Sequence, residues 1–447
     1  MPELTWEPTI RWVAEFGPDL PPDVLARARL LVLDTVACAA AGLRHEQVRR
    51  MAAQASAVTP GTATWPGLPR PCSPAWAAAS FTAAACWDEF CEGHAGARGR
   101  PGLHSVGLPL VLAADGVRPG GRKTVGDVLS AVVAGYEVGA RFGAAMFTRA
   151  GLHVDGTWGS AAAAVAAARI LDLDVAAAAA AADIAAATMP ASQYRAAADG
   201  ATVRNLYAAR GVAGGFDAAL AASAGVRAST DATSLVIALL GRPSADAAAA
   251  RSALGQIAEP SRFALLDGYL KEWPGVRHTH YAVAAAERWL AEGGASARQR
   301  LRSSGGIELA MHPAALEYTP VRAPRSLLQA QFSSTYAAAY TLVHGTFGLE
   351  AFTPQAIADP EVAEVEERIE LVHDDQLEGR FARLRADGRD ALCTVLAGDP
   401  GRPNEPTAIL AKALSLLTPA LGEAAALELG DWLLTADVQQ PWCLPTA

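Results

Sequence analysis

Residues 267–281 read Asp267-Gly268-Tyr269-Leu270-Lys271-Glu272-Trp273-Pro274-Gly275-Val276-Arg277-His278-Thr279-His280-Tyr281, and the character of the chain changes across them. Upstream, apolar residues recur at helical spacing in long alanine-rich runs. Downstream, residues 306–312, 367–373 and 391–396 alternate or run β-branched in short bursts, which are strand signals. The stretch itself gathers one lysine, two histidines and two tyrosines around a Trp-Pro-Gly turn and leads into the apolar helix 282–290. Lysine is conspicuous here, because only Lys123, Lys271 and Lys412 occur among 37 basic residues. Where composition favours arginine, a retained lysine supplies a point charge or a proton that can be lost, or else snorkels at a helix end.

The segments 22–42, 75–89, 108–115, 124–147, 176–189 and 202–223 read as helices, and helices return at 407–417 and 422–434. The predicted organisation is therefore mainly α: a helical part over 1–267, an α+β part over 268–400, and a helical C-terminal part over 401–447. Gly135, Gly139 and Gly143 recur every four positions, which lets a neighbouring helix approach closely. Asp34 falls inside an apolar run and calls for a partner on another element. Residues 59–74 read as loop, and the glycine-rich 93–107 stretch reads as a long polar loop where function tends to sit. Thr157 or Ser160 is placed to cap the alanine helix that follows. Arg204 and Arg210, six apart, do not share a helix face, so one of them at most points at a common site.

Alanine dominates the 51% hydrophobic content and aromatics are 6%, which favours close helix packing through small side chains. The net charge of −9 argues against nucleic-acid binding. The opening Met1-Pro2-Glu3-Leu4-Thr5-Trp6 lacks a basic region and apolar core, and the alanine runs are interrupted too often to span a bilayer, so a soluble cytoplasmic protein is expected. Six cysteines without CxxC spacing argue against a zinc site or disulfide framework.

His278 and His280 lack the company that a metal site needs. No GxxxxGK[ST], GxGxxG or GxSxG motif occurs, so nucleotide cofactors and the usual serine hydrolase are not indicated. A cysteine nucleophile at Cys86 or Cys91 has no paired base in sequence. Proton chemistry remains: His104, His153, His278, His280, Lys271 and Tyr318 lie in loops or at helix ends, and with Arg204 they would form a cationic pocket for a carboxylate.

The segment 31–42 (LVLDTVACAAAG) resembles the "LLDT…AG" opening of the MmgE/PrpD family, which includes 2-methylcitrate dehydratase, cis-aconitate decarboxylase and iminodisuccinate epimerase. Similar pieces follow in family order: 103–107 (LHSVG), 134–138 (AGYEV) with Arg141, 156–164 (GTWGSAAAA), 203–211 (VRNLYAARG), Lys271 to Pro274 with Thr279-His280, and 330–336 (AQFSSTY). The resemblance implies a large helical domain built from both chain ends plus a smaller α+β lid, a homodimer, and no cofactor. It implies that His104 matches the family's active-site histidine and Lys271 its lysine. Arg204 stands where the decarboxylase has a lysine, Tyr318 where it has an active-site tyrosine, and His153 resembles the histidine ahead of the GTxGSAAAA helix.

The family's D-x-D-D motif reads Cys86-Trp87-Asp88-Glu89 here, followed by Phe90, while Ser105 replaces a proline and Val276 a histidine. These readings give a lyase or isomerase that moves a proton α to a carbonyl or carboxylate. His104, His153, Lys271 and Tyr318 are the expected catalytic set, and Arg204, Asp88, Tyr207, His278 and His280 the expected substrate contacts. The exchanged residues point to a specialised biosynthetic substrate, bulkier or less charged. The alternative is a family fold with exchanged chemistry, a substrate-shaping cyclase or a binding protein.

Overall fold

A computed structural model describes residues 4–114, 121–242, 247–303, 305–377 and 379–444. The Met1-Pro2-Glu3 opening and Asp115, the expected end of the 108–115 helix, lie outside the described residues. The fold is mainly helical, with small sheets.

Helix Val125–Met146 starts from a capping box, in which Thr124 Oγ1 accepts from the Asp127 N–H at 3.1 Å and the Asp127 carboxylate accepts from the Thr124 N–H at 2.8 Å. Its glycine stripe lies against the buried alanine helix Gly159–Ile170. A Cβ at Gly135 would stand 2.6 Å from the Ala162 carbonyl oxygen, and one at Gly139 would stand 2.8 Å from the Ala162 Cβ. Small residues thus bring the two backbones together and exclude water without large side chains.

The chain's two ends share one core. Helix Pro22–Gly42 packs on Pro406–Leu421, where Lys412 Nζ donates to Asp34 Oδ1 at 2.6 Å, to the Phe90 carbonyl at 2.7 Å and to the Lys271 carbonyl at 2.9 Å. This is the partner that the buried Asp34 required. The core draws residues from Trp6 to Leu270 and again from Ile409 to Trp442. A second core runs from Tyr281 to Leu396, where helices Arg277–Gly293 and Ser334–His344 pack near a four-stranded sheet.

In that sheet the strand order is Ile369–His373, Ile307–Met311, Ala382–Ala386, Arg389–Cys393. The first pair is parallel, with Ile307 opposite Ile369, and the remaining pairs are antiparallel. Strand Ala382–Ala386 was not expected. Its Ala382, Leu384 and Ala386 face the core while Arg383 and Arg385 face away, so the apolar half of the alternation is carried mostly by alanine. The turn that follows, Asp387-Gly388, has φ of 51° and 68°, the left-handed pair of a tight hairpin.

Three expected loops or ends differ. Residues 59–74 contain a short strand, Pro60–Ala63. The 93–107 stretch is not an open polar loop: Gly93–His94 pairs antiparallel with Gly268–Tyr269, and Pro101–Ser105 is a buried helix. The helix expected over 75–89 ends at Cys86, and Glu89 takes a left-handed φ of 51°. Helices Glu7–Phe16, Glu46–Val58 and Ala232–Leu240 were not read from the sequence. No helix among the described residues is long and apolar enough to cross a membrane.

Candidate active site

The Gly93–Tyr269 pairing brings the glycine-rich stretch against the segment that carries Lys271. Beside it lies a cavity of about 440 Å³, with walls from the 95–100 and 147–155 segments of the first core and from residues 276–278, 312–318 and 379–380 of the second part. Among the described residues, seven arginine and lysine side chains line it against three carboxylates, Glu89, Asp155 and Glu317. In a chain of net charge −9 this is a local reversal of sign, which concentrates anions.

The inner wall is an ion-pair network. Glu89 pairs with Arg204, with Arg100 at 3.0 Å and with Lys271 at 2.8 Å; Asp155 pairs with Arg100 and stands 3.5 Å from Arg204. Burial pushes both carboxyls up, but the guanidiniums of Arg100 and Arg204 outweigh it and hold both well below the usual carboxylate range. Lys271 is 2% exposed, and Nζ gives its three protons to Glu89 Oε1, the Glu89 carbonyl and the Gly275 carbonyl at 2.8, 2.8 and 3.0 Å. It therefore contributes charge, and its donors are already engaged.

His153 reaches the wall from the segment before helix Gly159–Ile170. Its Nδ1 faces the Asp155 N–H at 3.1 Å and its Nε2 faces Arg204 Nε at 3.3 Å. A neutral imidazole accepts at one nitrogen only, so one contact must open when the ring carries its proton. Burial, joined by Arg204 and Arg100, moves His153 down to about 4 despite Asp155. His278, in the first turn of Arg277–Gly293, is pushed well below its ordinary value by burial and by Arg380 and Arg277, and its Nδ1 has no partner among the described residues. Both rings are neutral at pH 7 and able to take a proton.

The two histidines end a row of four rings. His153 stacks on Tyr194 at 5.7 Å, Tyr194 meets Tyr318 edge-on at 5.9 Å, and Tyr318 stacks on His278 at 5.2 Å with 7° between planes. Tyr194 Oη also donates to the Tyr318 carbonyl at 2.9 Å, which fixes the row.

Of the residues singled out in the sequence, His153, Arg204, Lys271, His278 and Tyr318 meet at the cavity. The others lie off it. His104 is fully buried, with Nδ1 against the Arg100 carbonyl at 2.8 Å and Nε2 accepting from the Gly156 N–H at 3.0 Å, so both nitrogens are held by backbone. Gly159 leaves room for that ring: a Cβ there would sit 2.2 Å from His104 Cδ2. Asp88 faces the other way, to Arg44 and to His45 Nε2 at 2.7 Å. His280 packs against Trp273. Tyr207 donates to the Gln193 carbonyl at 3.1 Å and borders His153 without lining the cavity. Arg210 is exposed, so Arg204 is the one of that pair that faces inward.

Sequence reasoning missed Arg98, Arg100, Asp155, Tyr194, Arg277, His312 and Arg380. Arg98 and Arg100 lay in the loop singled out for function, and Asp155 two residues after His153, whereas Arg380 carried no local signal. Cys86 Sγ lies 3.2 Å from Arg100 Nη2 and 3.4 Å from Arg204 Nη1; burial raises its pKa and pushes Cys91 up to about 12, so both are thiols at neutral pH. Among the described residues no three histidine, cysteine, aspartate or glutamate side chains gather as metal ligands.

The family model for the MmgE/PrpD N-terminal domain matches residues 10–236, and that for the MmgE/PrpD C-terminal domain matches residues 273–434. The chain is 34% identical over 164 residues to a cis-aconitate decarboxylase of Aspergillus terreus, covering 35% of this chain and 33% of that protein. It is 36% identical over 177 residues to the cis-aconitate decarboxylase-like protein oryM of Aspergillus oryzae, covering 36% of this chain and 35% of that protein. The aligned stretches thus span about a third of the length of these relatives.

Proposed function

The chain belongs to the MmgE/PrpD family, and from that premise we propose that it is a lyase or isomerase that moves a proton next to a carboxylate or carbonyl of a small anionic substrate. The observation that carries this reading is the pair of neutral histidines, His153 and His278, at the ends of one aromatic row in a cavity whose charged groups are mostly cationic. A neutral imidazole takes a proton, and fixed cations stabilise the enolate that forms.

Arg204 is the group that a substrate carboxylate would draw away from His153, which frees Nε2 to act. Lys271 and Arg100 supply positive field while Glu89 and Asp155 keep them in place. Tyr318, stacked on His278, returns the proton. His104 serves as a support that holds the Arg100 carbonyl and the Gly156 turn. Elimination, decarboxylation and epimerisation share this enolate, and the two curated relatives named as a decarboxylase and its like favour decarboxylation or dehydration. The cationic excess favours a substrate with several anionic groups over the less charged one expected from the exchanged residues. The same reading includes a cytoplasmic homodimer acting in biosynthesis without a cofactor; light scattering at twice the 46.2 kDa chain mass would support the dimer.

The test is proton exchange by NMR in D2O with a panel of di- and tricarboxylates and larger unsaturated acids. Deuterium is expected at an α-carbon, with the rate falling about 100-fold or more in His153→Asn or His278→Asn. A folded protein that exchanges none of them would overturn the reading in favour of a substrate-shaping cyclase or a binding protein.

A further inference from the structure

Among the described residues, the inner cations of the cavity are matched by carboxylates and the outer ones only in part. Arg100, Arg204 and Lys271 share Glu89 and Asp155. Arg277 is 3% exposed and gives Nη2 to Asp399 and to the Ala397 carbonyl, both at 2.8 Å, but its Nε and Nη1 have no partner among the described residues. A buried guanidinium with orphaned donors is costly unless something accepts from them. Arg380 lies near the same ring as Arg277: their guanidinium carbons stand 6.0 Å and 4.4 Å from the Tyr269 ring centre. No ion pair of Arg380 occurs among the described residues.

A second pair of guanidiniums, Arg98 and Arg242, shares Phe147 at 3.7 and 5.2 Å, and among the described residues only Arg242 has a carboxylate, Glu317 at 2.9 Å. Arg98 is pushed down first by burial and then by Arg242 and Arg380, so the three repel one another across the outer cavity. The backbone is strained at the same place. Arg98 and Phe147 have φ of 52° and 40°, two of the six non-glycine residues in the left-handed region among the described residues, and Glu89 on the inner wall is a third. Strain and like-charge crowding persist where a bound group repays them.

We propose that Arg277 and Arg380, flanking Tyr269, form a second anion subsite that holds a carboxylate or phosphate at the far end of the substrate, beside His278. This deepens the proposed function and rests on it for which molecule fills the cavity. It makes the substrate an acid anionic at both ends, with one anion at Arg204 and the reacting carbon between the histidines.

The test is calorimetric binding of butyrate, glutarate, adipate and 3-phosphonopropionate to the full chain and to Arg380→Ala and Arg277→Lys. Arg380 is half-buried and, among the described residues, has no ion pair and only a distant contact with the Tyr269 ring, so its variant keeps the proposal testable if Arg277→Lys fails to fold. Arg380→Ala is expected to weaken the doubly anionic acids about tenfold while butyrate changes little. A larger loss for the phosphonate assigns the distal group to phosphate, and a larger loss for the dicarboxylates assigns it to carboxylate. Equal loss for butyrate and the diacids, or no loss, would overturn the subsite. The readout needs no turnover: discrimination without deuterium exchange keeps the subsite and removes the proton chemistry, and exchange without discrimination does the reverse.

Discussion

Glu89 is the residue on which most of the inner wall depends, because three buried cations converge on one carboxylate. Replacing it by glutamine leaves Arg100 and Arg204 with Asp155 alone and Lys271 without a carboxylate, and removing one partner from such a network costs about 3–5 kcal/mol. Thermal denaturation at neutral pH should show that loss. The pH dependence has a definite sign. Glu89 and Asp155 are held below their ordinary values of 4.5 and 3.8, so their contribution is complete above those values and lost as pH falls below them. The Glu89→Gln variant should therefore lose less stability than the parent on acidification below about pH 4.5.

His153 works in the same sense at higher pH, since a ring at about 4 in the fold and 6.5 when unfolded lowers stability as pH falls between those values. If His153 is the base, the acidic limb of kcat/KM lies well below pH 6.5; a limb at or above 6.5 would remove it from that role.

At the scale of elements, the fold was legible where periodicity and small residues agree. The glycine stripe of Val125–Met146 announced a close helix partner, and the partner is the alanine helix Gly159–Ile170. The strand Ala382–Ala386 was illegible because its inward residues are mostly alanine and its outward ones arginine, although the Asp-Gly turn after it was a usable signal. The site divided along the same line. Lys271, His153 and His278 stood out as titratable groups at helix ends, whereas Arg380 reaches the cavity only through tertiary folding.

His104 stood out for the same reason as His153, and only the backbone contacts at both its nitrogens separate the two. The glycine reading gives a paired prediction. Gly135→Ala drives a Cβ to 2.6 Å from the Ala162 carbonyl and should destabilise by about 1–3 kcal/mol. Gly214→Ala, in helix Tyr207–Ser223 with nothing within 4 Å, should stabilise by up to about 1 kcal/mol. Urea denaturation of both variants checks the contrast, and equal effects would show that helix propensity, not the helix contact, sets the first.

On the scale of the whole molecule, the cavity is built by two cores that the chain enters at different times. His153, Arg204 and the 95–100 segment belong to the part whose core closes with Ile409 to Trp442, while His278, Tyr318 and Arg380 come from the part whose core runs from Tyr281 to Leu396. Lys412 ties the first part to the segment that leads into the second, since one ammonium from the C-terminal helix holds Asp34 and the carbonyls of Phe90 and Lys271. A ligand that bridges Arg204 and Arg277 must engage both parts at once, and binding stabilises whatever it touches by about 2.7 kcal/mol at a hundredfold excess over Kd. Hydrogen exchange with a saturating diacid should therefore slow amides in residues 153–157 and in the first turn of Arg277–Gly293 together. A monocarboxylate held by Arg204 alone should protect only the former. Protection confined to one part by every acid tried would mean that the two walls do not share a ligand, and that the row of rings from His153 to His278 is a packing feature rather than the frame of one reaction.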